Sequence, residues 1–163
     1  MHKRLLLPFF LLFFIKASAQ DNGFVFGQIS TPDLQMKVYN QDSSASAVVL
    51  QEFGESRIDN ENDFNLLHDY HVKIKILNSQ GFEQANIQVP LYKQNGKSEK
   101  VSRIQASTFN LVNGKLEETK FDSRKTFTEN KSKYLDLVKF TLPNIQVGSI
   151  IEEGYTLESP FNL

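Results

Sequence analysis

Between Tyr70 and Ile76 the chain alternates without a break. Tyr70, Val72, Ile74 and Ile76 are aromatic or aliphatic, and His71, Lys73 and Lys75 stand between them. A period of two puts successive side chains on opposite faces of an extended strand. The segment therefore reads as a half-buried β-strand with its cations toward water. Ala85, Ile87, Val89 and Leu91 repeat the pattern around Asn86, Gln88 and Pro90. Pro90 cannot donate to a ladder, so it marks a strand end or a sheet edge.

Turn chemistry separates such segments. Asn78-Ser79-Gln80-Gly81 turns the chain after the first strand, and residues 94–97 form a second polar turn. Asn113-Gly114 predicts a type I′ hairpin between a strand through Val112 and one starting at Lys115. Ile104, Ala106 and Thr108 share one face, while Phe109 and Leu111 fall on the other, which predicts a bulge near Thr108. Further strands are expected at residues 47–53, ended by Gly54, and at residues 134–142 and 150–157. One short helix is expected, with Thr31 as N-cap, Pro32 in its first turn, and an end near Asn40. No long stretch with a period of 3.6 supplies crossover helices. The fold class is therefore all-β, an antiparallel β-sandwich with one short N-terminal helix.

The first 19 residues stand apart. His2, Lys3 and Arg4 precede an apolar run over residues 5–15, and Ala17-Ser18-Ala19 has the small-residue spacing of a signal peptidase site. Cleavage is expected between Ala19 and Gln20. The run is too short to span a bilayer, so no permanent membrane helix is expected. The chain reads as exported: periplasmic, on the outer surface, or secreted. Residues 20–163 are one domain's length. Losing Lys3, Arg4 and Lys16 leaves this domain mildly acidic, with no basic block, so nucleic acid is not an expected partner.

The chain has no cysteine. Thiolate nucleophiles, disulfides, iron–sulfur clusters and thiolate zinc sites are excluded. His68 and His71 are three apart, which on a strand means opposite faces, so they do not chelate one metal. His71 is expected on the solvated face beside Lys73, and His68 near the core rim. Asp59, Glu61 and Asp63 are the weak candidates for a metal. They open like a calcium loop, but Phe64 and Tyr70 occupy the sixth and twelfth positions, where an EF-hand needs glycine and glutamate. Glu152 and Glu153 point to opposite faces and are not a ready acid–base pair. Glu153 shares the apolar side of Ile151, Tyr155 and Leu157, with its carboxyl expected at a sheet margin or beside a lysine. No G-x-S-x-G and no glycine-rich phosphate loop occurs. No catalytic residue, cofactor or cofactor site is expected. Tyr39, Tyr70, Tyr92, Tyr134 and Tyr155 are candidates for a glycan- or peptide-binding face, or for the core.

Several segments together resemble one family. These are Ala47-Val48-Val49-Leu50, the strand from Asp69 to Asn78 followed by Gly81-Phe82, and Val101-Ser102-Arg103-Ile104 leading to Asn113-Gly114-Lys115. Val138-Lys139-Phe140-Thr141-Leu142-Pro143, Gly148-Ser149-Ile150-Ile151-Glu152 and Ser159-Pro160-Phe161 complete the set. In order and spacing they resemble the domain of unknown function 3857 family. The resemblance implies the N-terminal β-rich module of an exported bacterial protein, followed by a transglutaminase-like, protease-like domain. It implies that the catalytic cysteine, histidine and aspartate belong to that following domain. It also implies that the module runs on beyond Ser159-Pro160-Phe161, making this chain a truncated member or a fragment, incomplete at its C-terminus. Glu153 departs from the apolar or aromatic residue expected there. The function so implied is positional: docking the catalytic domain or its substrate. The alternative is a free-standing surface module for glycan or protein. A third reading, calcium-dependent adhesion, rests on Asp59, Glu61 and Asp63.

Overall fold

A computed structural model describes residues 25–61 and 63–161. The expected export signal and its cleavage site at Ala19 and Gln20 lie outside these residues. Helix α1 (Thr31–Gln35) is followed by β1 (Ala47–Asp59), β2 (Asn65–Ile76), β3 (Asn86–Gln94), β4 (Lys97–Ser98) and β5 (Lys100–Val112). Then come β6 (Lys115–Lys120), β7 (Phe127–Ser132), β8 (Leu135–Thr141) and β9 (Ile150–Ser159). They form two antiparallel sheets, a five-stranded one in the order β1-β2-β9-β5-β6 and a four-stranded one in the order β4-β3-β8-β7. The all-β sandwich expected from the alternation is the observed fold.

The helix is shorter than expected, and its cap is one residue earlier. Ser30 Oγ accepts from Asp33 N at 3.2 Å, and the helix stops at Gln35 rather than near Asn40. The β5–β6 hairpin turns at Asn113 (φ 52°) and Gly114 (φ 77°), as the Asn-Gly pair requires. Asn95 and Gly96 do the same between β3 and β4, with φ of 52° and 77°. Pro90 lies within β3, which is an edge strand there because β4 pairs only with Lys93 and Gln94.

Three local expectations are corrected. The bulge in β5 lies between Ser102 and Gln105, with Arg103 at φ 54°, not at Thr108. The break in phase has another cause: residues 106–110 are all buried, so both faces of the strand there must be covered. Gly54 does not end β1 but sits in its middle. A Cβ at Gly54 would lie 3.0 Å from Cε1 of His68 on the next strand, so the glycine makes room for that ring. β7, rich in polar residues, was not anticipated.

The core fills one end of the space between the sheets. Ile76, Ala85, Ile87, Val89, Leu91, Ala106, Val138, Phe140, Leu142 and Ile151 are buried together, and Phe121 stacks on Phe140 with centroids 4.9 Å apart. A 3₁₀ turn (Ser79–Ala85) carries the chain from β2 to the second sheet. Its Gly81 is pressed against the segment entering β1: a Cβ there would meet Ser46 O at 2.4 Å. Gly81→Ala must push two backbones apart, and we expect it to cost about 2–3 kcal/mol in urea unfolding. An unchanged midpoint would show that the turn yields freely.

Candidate functional site

The largest correction concerns the polar face of β2. His71, Lys73 and Lys75 do not face water. They lie under the segment that precedes β1, with Lys73 and Lys75 buried and His71 mostly so. Glu152, opposite Lys73 on β9, is fully buried with them. Its Oε1 lies 2.9 Å from His71 Nε2 and 3.6 Å from Lys73 Nζ, and its Oε2 accepts from Gly27 N at 2.9 Å. Lys73 Nζ donates to Gln28 O at 2.8 Å, and Lys75 Nζ to Leu34 O and Gly148 O at 2.8 and 2.6 Å. The Phe26 ring stacks on His71 with centroids 5.4 Å apart. Burial, with Lys73 beside it, lowers the His71 pKa to about 4, so the ring is neutral near pH 7 and its Nε2–H donates to Glu152. Burial raises the Glu152 pKa, against the opposing pull of Gly27 N–H and Lys73. Each of these side chains is used to hold a segment of the same chain, so the cluster reads as structural.

The other face of β2 opens into a cleft. Toward the ends of β2 and β9 remote from the core, the sheets part around a cavity of about 640 Å³. Leu66 and His68 of β2, Ser56 of β1, and Leu157, Ser159 and Phe161 along and after β9 line one side. Tyr92, Lys93, Gln94, Glu99 and Tyr134 line the other. Tyr92 and Tyr134 are both more than half exposed. Their backbones are fixed: Tyr92 N donates to Glu99 Oε2 at 2.8 Å, and Lys93 N to Tyr134 O at 2.9 Å. Lys93 is held by Asp136 at 2.6 Å, and Lys133 Nζ lies 4.6 Å over the Tyr134 ring. On the face that β2 and β9 turn to the cleft, Tyr70 and Tyr155 pair with centroids 5.3 Å apart, and Tyr70 Oη donates to Glu52 at 2.7 Å. Tyr70 and Tyr155 thus face the space between the sheets, and Tyr92 and Tyr134 lie at the margin of the cleft. Tyr39 lies apart; it bridges to Asp42 before β1.

His68 and His71 fall on opposite faces, as the strand reading requires. His68 Nδ1 lies 2.8 Å from Ser56 Oγ inside the cleft. A serine–histidine pair of this kind needs a third group to orient the ring. Among the described residues nothing hydrogen-bonds His68 Nε2, which faces Gly54 instead. The neighbouring Asp69 is engaged on the other face with Arg57 and Thr156. The pair is therefore a polar contact within the cleft wall.

Asp59, Glu61 and Asp63 lie in the β1–β2 turn. There Asp59 Oδ1 accepts from Glu61 N at 3.1 Å, and Asp63 and Phe64 have positive φ. Among the described residues no group of three histidine or carboxylate side chains is placed to hold a metal ion. No helix among them is long and apolar enough to cross a membrane.

Glu153 is not at a sheet margin, and among the described residues no lysine pairs with it. It lies in mid-sheet, between Val72 of β2 and Ala106 of β5, facing the interior. Its Oε2 is buried and has no hydrogen-bond partner among the described residues. Burial raises its pKa from 4.5 to about 7. A carboxyl whose pKa rises on folding favours the native state most when protonated. That contribution is whole below pH 4.5 and is lost as pH climbs through 7, about 3 kcal/mol in all. We expect Glu153→Gln to flatten this decline, gaining about 3 kcal/mol at pH 8 relative to its effect at pH 4, read from urea unfolding at both pH values. Equal effects at the two pH values would show that Glu153 titrates normally.

No family model matches the chain, and no curated protein matches it. Among solved structures it is similar to one from Parabacteroides distasonis whose name is "putative protease", with a TM-score of 0.54 and 8% identity. The match covers 70% of this chain and 23% of that one. A likeness at this identity concerns the fold.

Proposed function

We propose that this chain is a non-catalytic β-sandwich module that docks a polypeptide in its inter-sheet cleft. The occupant is the transglutaminase-like, protease-like domain implied by the sequence resemblance, or a substrate of that domain. The observation that carries this reading is the cleft: an apolar floor of Leu66, Leu157 and Phe161 beneath a rim of two exposed tyrosines. Anchors of this kind dominate protein–protein recognition. Two further facts support it. Phe161, two residues past the end of β9, lines the cleft. The structural neighbour carries a protease name, and this fold matches less than a quarter of its length. The export signal read from residues 1–19 gives the pair an envelope or extracellular setting.

A second reading, a free-standing module for glycan, is favoured by Tyr92 and Tyr134 alone, since exposed rings on both sides of a groove suit sugar stacking. One titration separates the two. The ¹⁵N-labelled domain is titrated with a purified transglutaminase-like domain from the same genome and, separately, screened on a glycan array. We expect shift changes concentrated at Tyr92, Tyr134, Leu157 and Phe161. We expect the Tyr92→Ala/Tyr134→Ala pair to weaken binding at least about tenfold. Shifts confined to other surfaces would contradict the docking reading. Glycan binding lost in the same variant would establish the second one.

A further inference from the structure

Sheet edges are the second surface with a strong physical demand. An edge strand presents a row of unpaired backbone N–H and C=O groups, and folded proteins blunt such edges by shortness, charge or proline. The edges here other than β1 are blunted, the open stretch of β3 by Pro90. β4 has 2 residues, and β6 and β7 have 6 each with lysines and glutamates along them. β1 is different. It is the longest of them at 13 residues, without proline, and its charges, Glu52, Glu55, Arg57 and Asp59, are of both signs; a bulge lies only near its start, and among the described residues only β2 pairs with it. From Gly54 to Ile58 its residues are all exposed.

The same stretch is complementary to itself. Run antiparallel to a copy of itself with Ser56 on the two-fold axis, β1 puts Glu55 of each copy opposite Arg57 of the other. It also puts Gly54 opposite Ile58. Glu55 and Arg57 lie on the outer face; Gly54, Ser56 and Ile58 lie on the cleft face, in register with Tyr70, His68 and Leu66 of β2. Ile58 is 52% exposed, and Gly54 opposite it adds no side chain of its own, bringing only the edge of the His68 ring to the contact. Arg57 keeps its bond to Asp69 and gains a second carboxylate. Cross-strand pairs of opposite charge are favourable, and like charges directly opposite are not.

We propose that the protein forms a two-fold dimer through edge-to-edge pairing of β1, centred on Ser56. The five-stranded sheets then join into one sheet of ten strands. Because Ser56 also lines the cleft, the two clefts meet across the axis and offer one extended groove. An isologous contact of this kind closes on itself and does not propagate. The buried area of a single strand pair is small, so the dimer is of the weak, concentration-dependent class.

The chain has no cysteine, so a single introduced one is diagnostic. Opposed residues in an antiparallel pair have Cα atoms about 4.5–5.5 Å apart, within disulfide range. Ser56→Cys in the mature chain is expected to give a covalent dimer under mild oxidation. Lys115→Cys, on the opposite edge, is expected to stay monomeric. Sedimentation of the unmodified chain should show the mass rising toward a dimer as concentration approaches about 1 mM. Glu55→Arg and Arg57→Glu should each abolish that rise, because each opposes like charges, while remaining folded by circular dichroism. Mixed one to one, they should restore it, since each pairs with the other. A monomer throughout, a dimer indifferent to both charge changes, or a mixture that stays monomeric would overturn the proposal.

Discussion

The structure depends on one buried carboxylate. Glu152 lies at the centre of the five-stranded sheet with no exposure, and it holds His71, Lys73 and the backbone of Gly27 together. A charge so placed is tolerated only when its partners are all present, and removing one partner of such a pair typically costs about 3–5 kcal/mol. The requirement fixes the segment ahead of β1 onto the outer face of the sheet. Lys73 and Lys75 complete the attachment by donating to main-chain carbonyls on that segment. With this face sealed, the cleft on the other side becomes the face of β2 and β9 open to a partner.

The same constraint explains what could and could not be read from the residues. The period of two in residues 70–76 and 85–91, the Asn113-Gly114 turn and the Thr31-Pro32-Asp33 helix start are local signals, and each produced its element, the helix with its cap one residue earlier. The destination of the polar face was not local. Lysine and histidine at alternate positions ordinarily mean solvent, and only the contact with Gly27 and Gln28, over 40 residues away, reverses that meaning. Buried residues on both faces of β5 looked like a bulge for the same reason. Gly54 looked like a strand end because its purpose, room for the His68 ring, belongs to the next strand.

The cleft was partly visible. The tyrosines were recognisable as candidates, but not which of them converge. Tyr92 and Tyr134 are separated by more than 40 residues and meet only because β3 pairs with β8. Glu153 was flagged by its phase among apolar neighbours. Its placement between Val72 and Ala106 depends on β9 lying between β2 and β5, an order that no local pattern encodes. Asp59, Glu61 and Asp63 show the reverse case: spacing that suggests a ligand set, on a turn that does not gather it.

The most direct measurement of this account is amide hydrogen exchange of the mature protein, resolved by residue. If Glu152 locks the N-terminal segment to the sheet, the Gly27 amide is slowed by at least about a hundredfold relative to a free chain, together with the central amides of β2 and β9. A Gly27 amide exchanging at the free-chain rate, while β2 and β9 remain protected, would contradict it. The outer face would then be open, and the cleft would lose its claim as the face left for a partner.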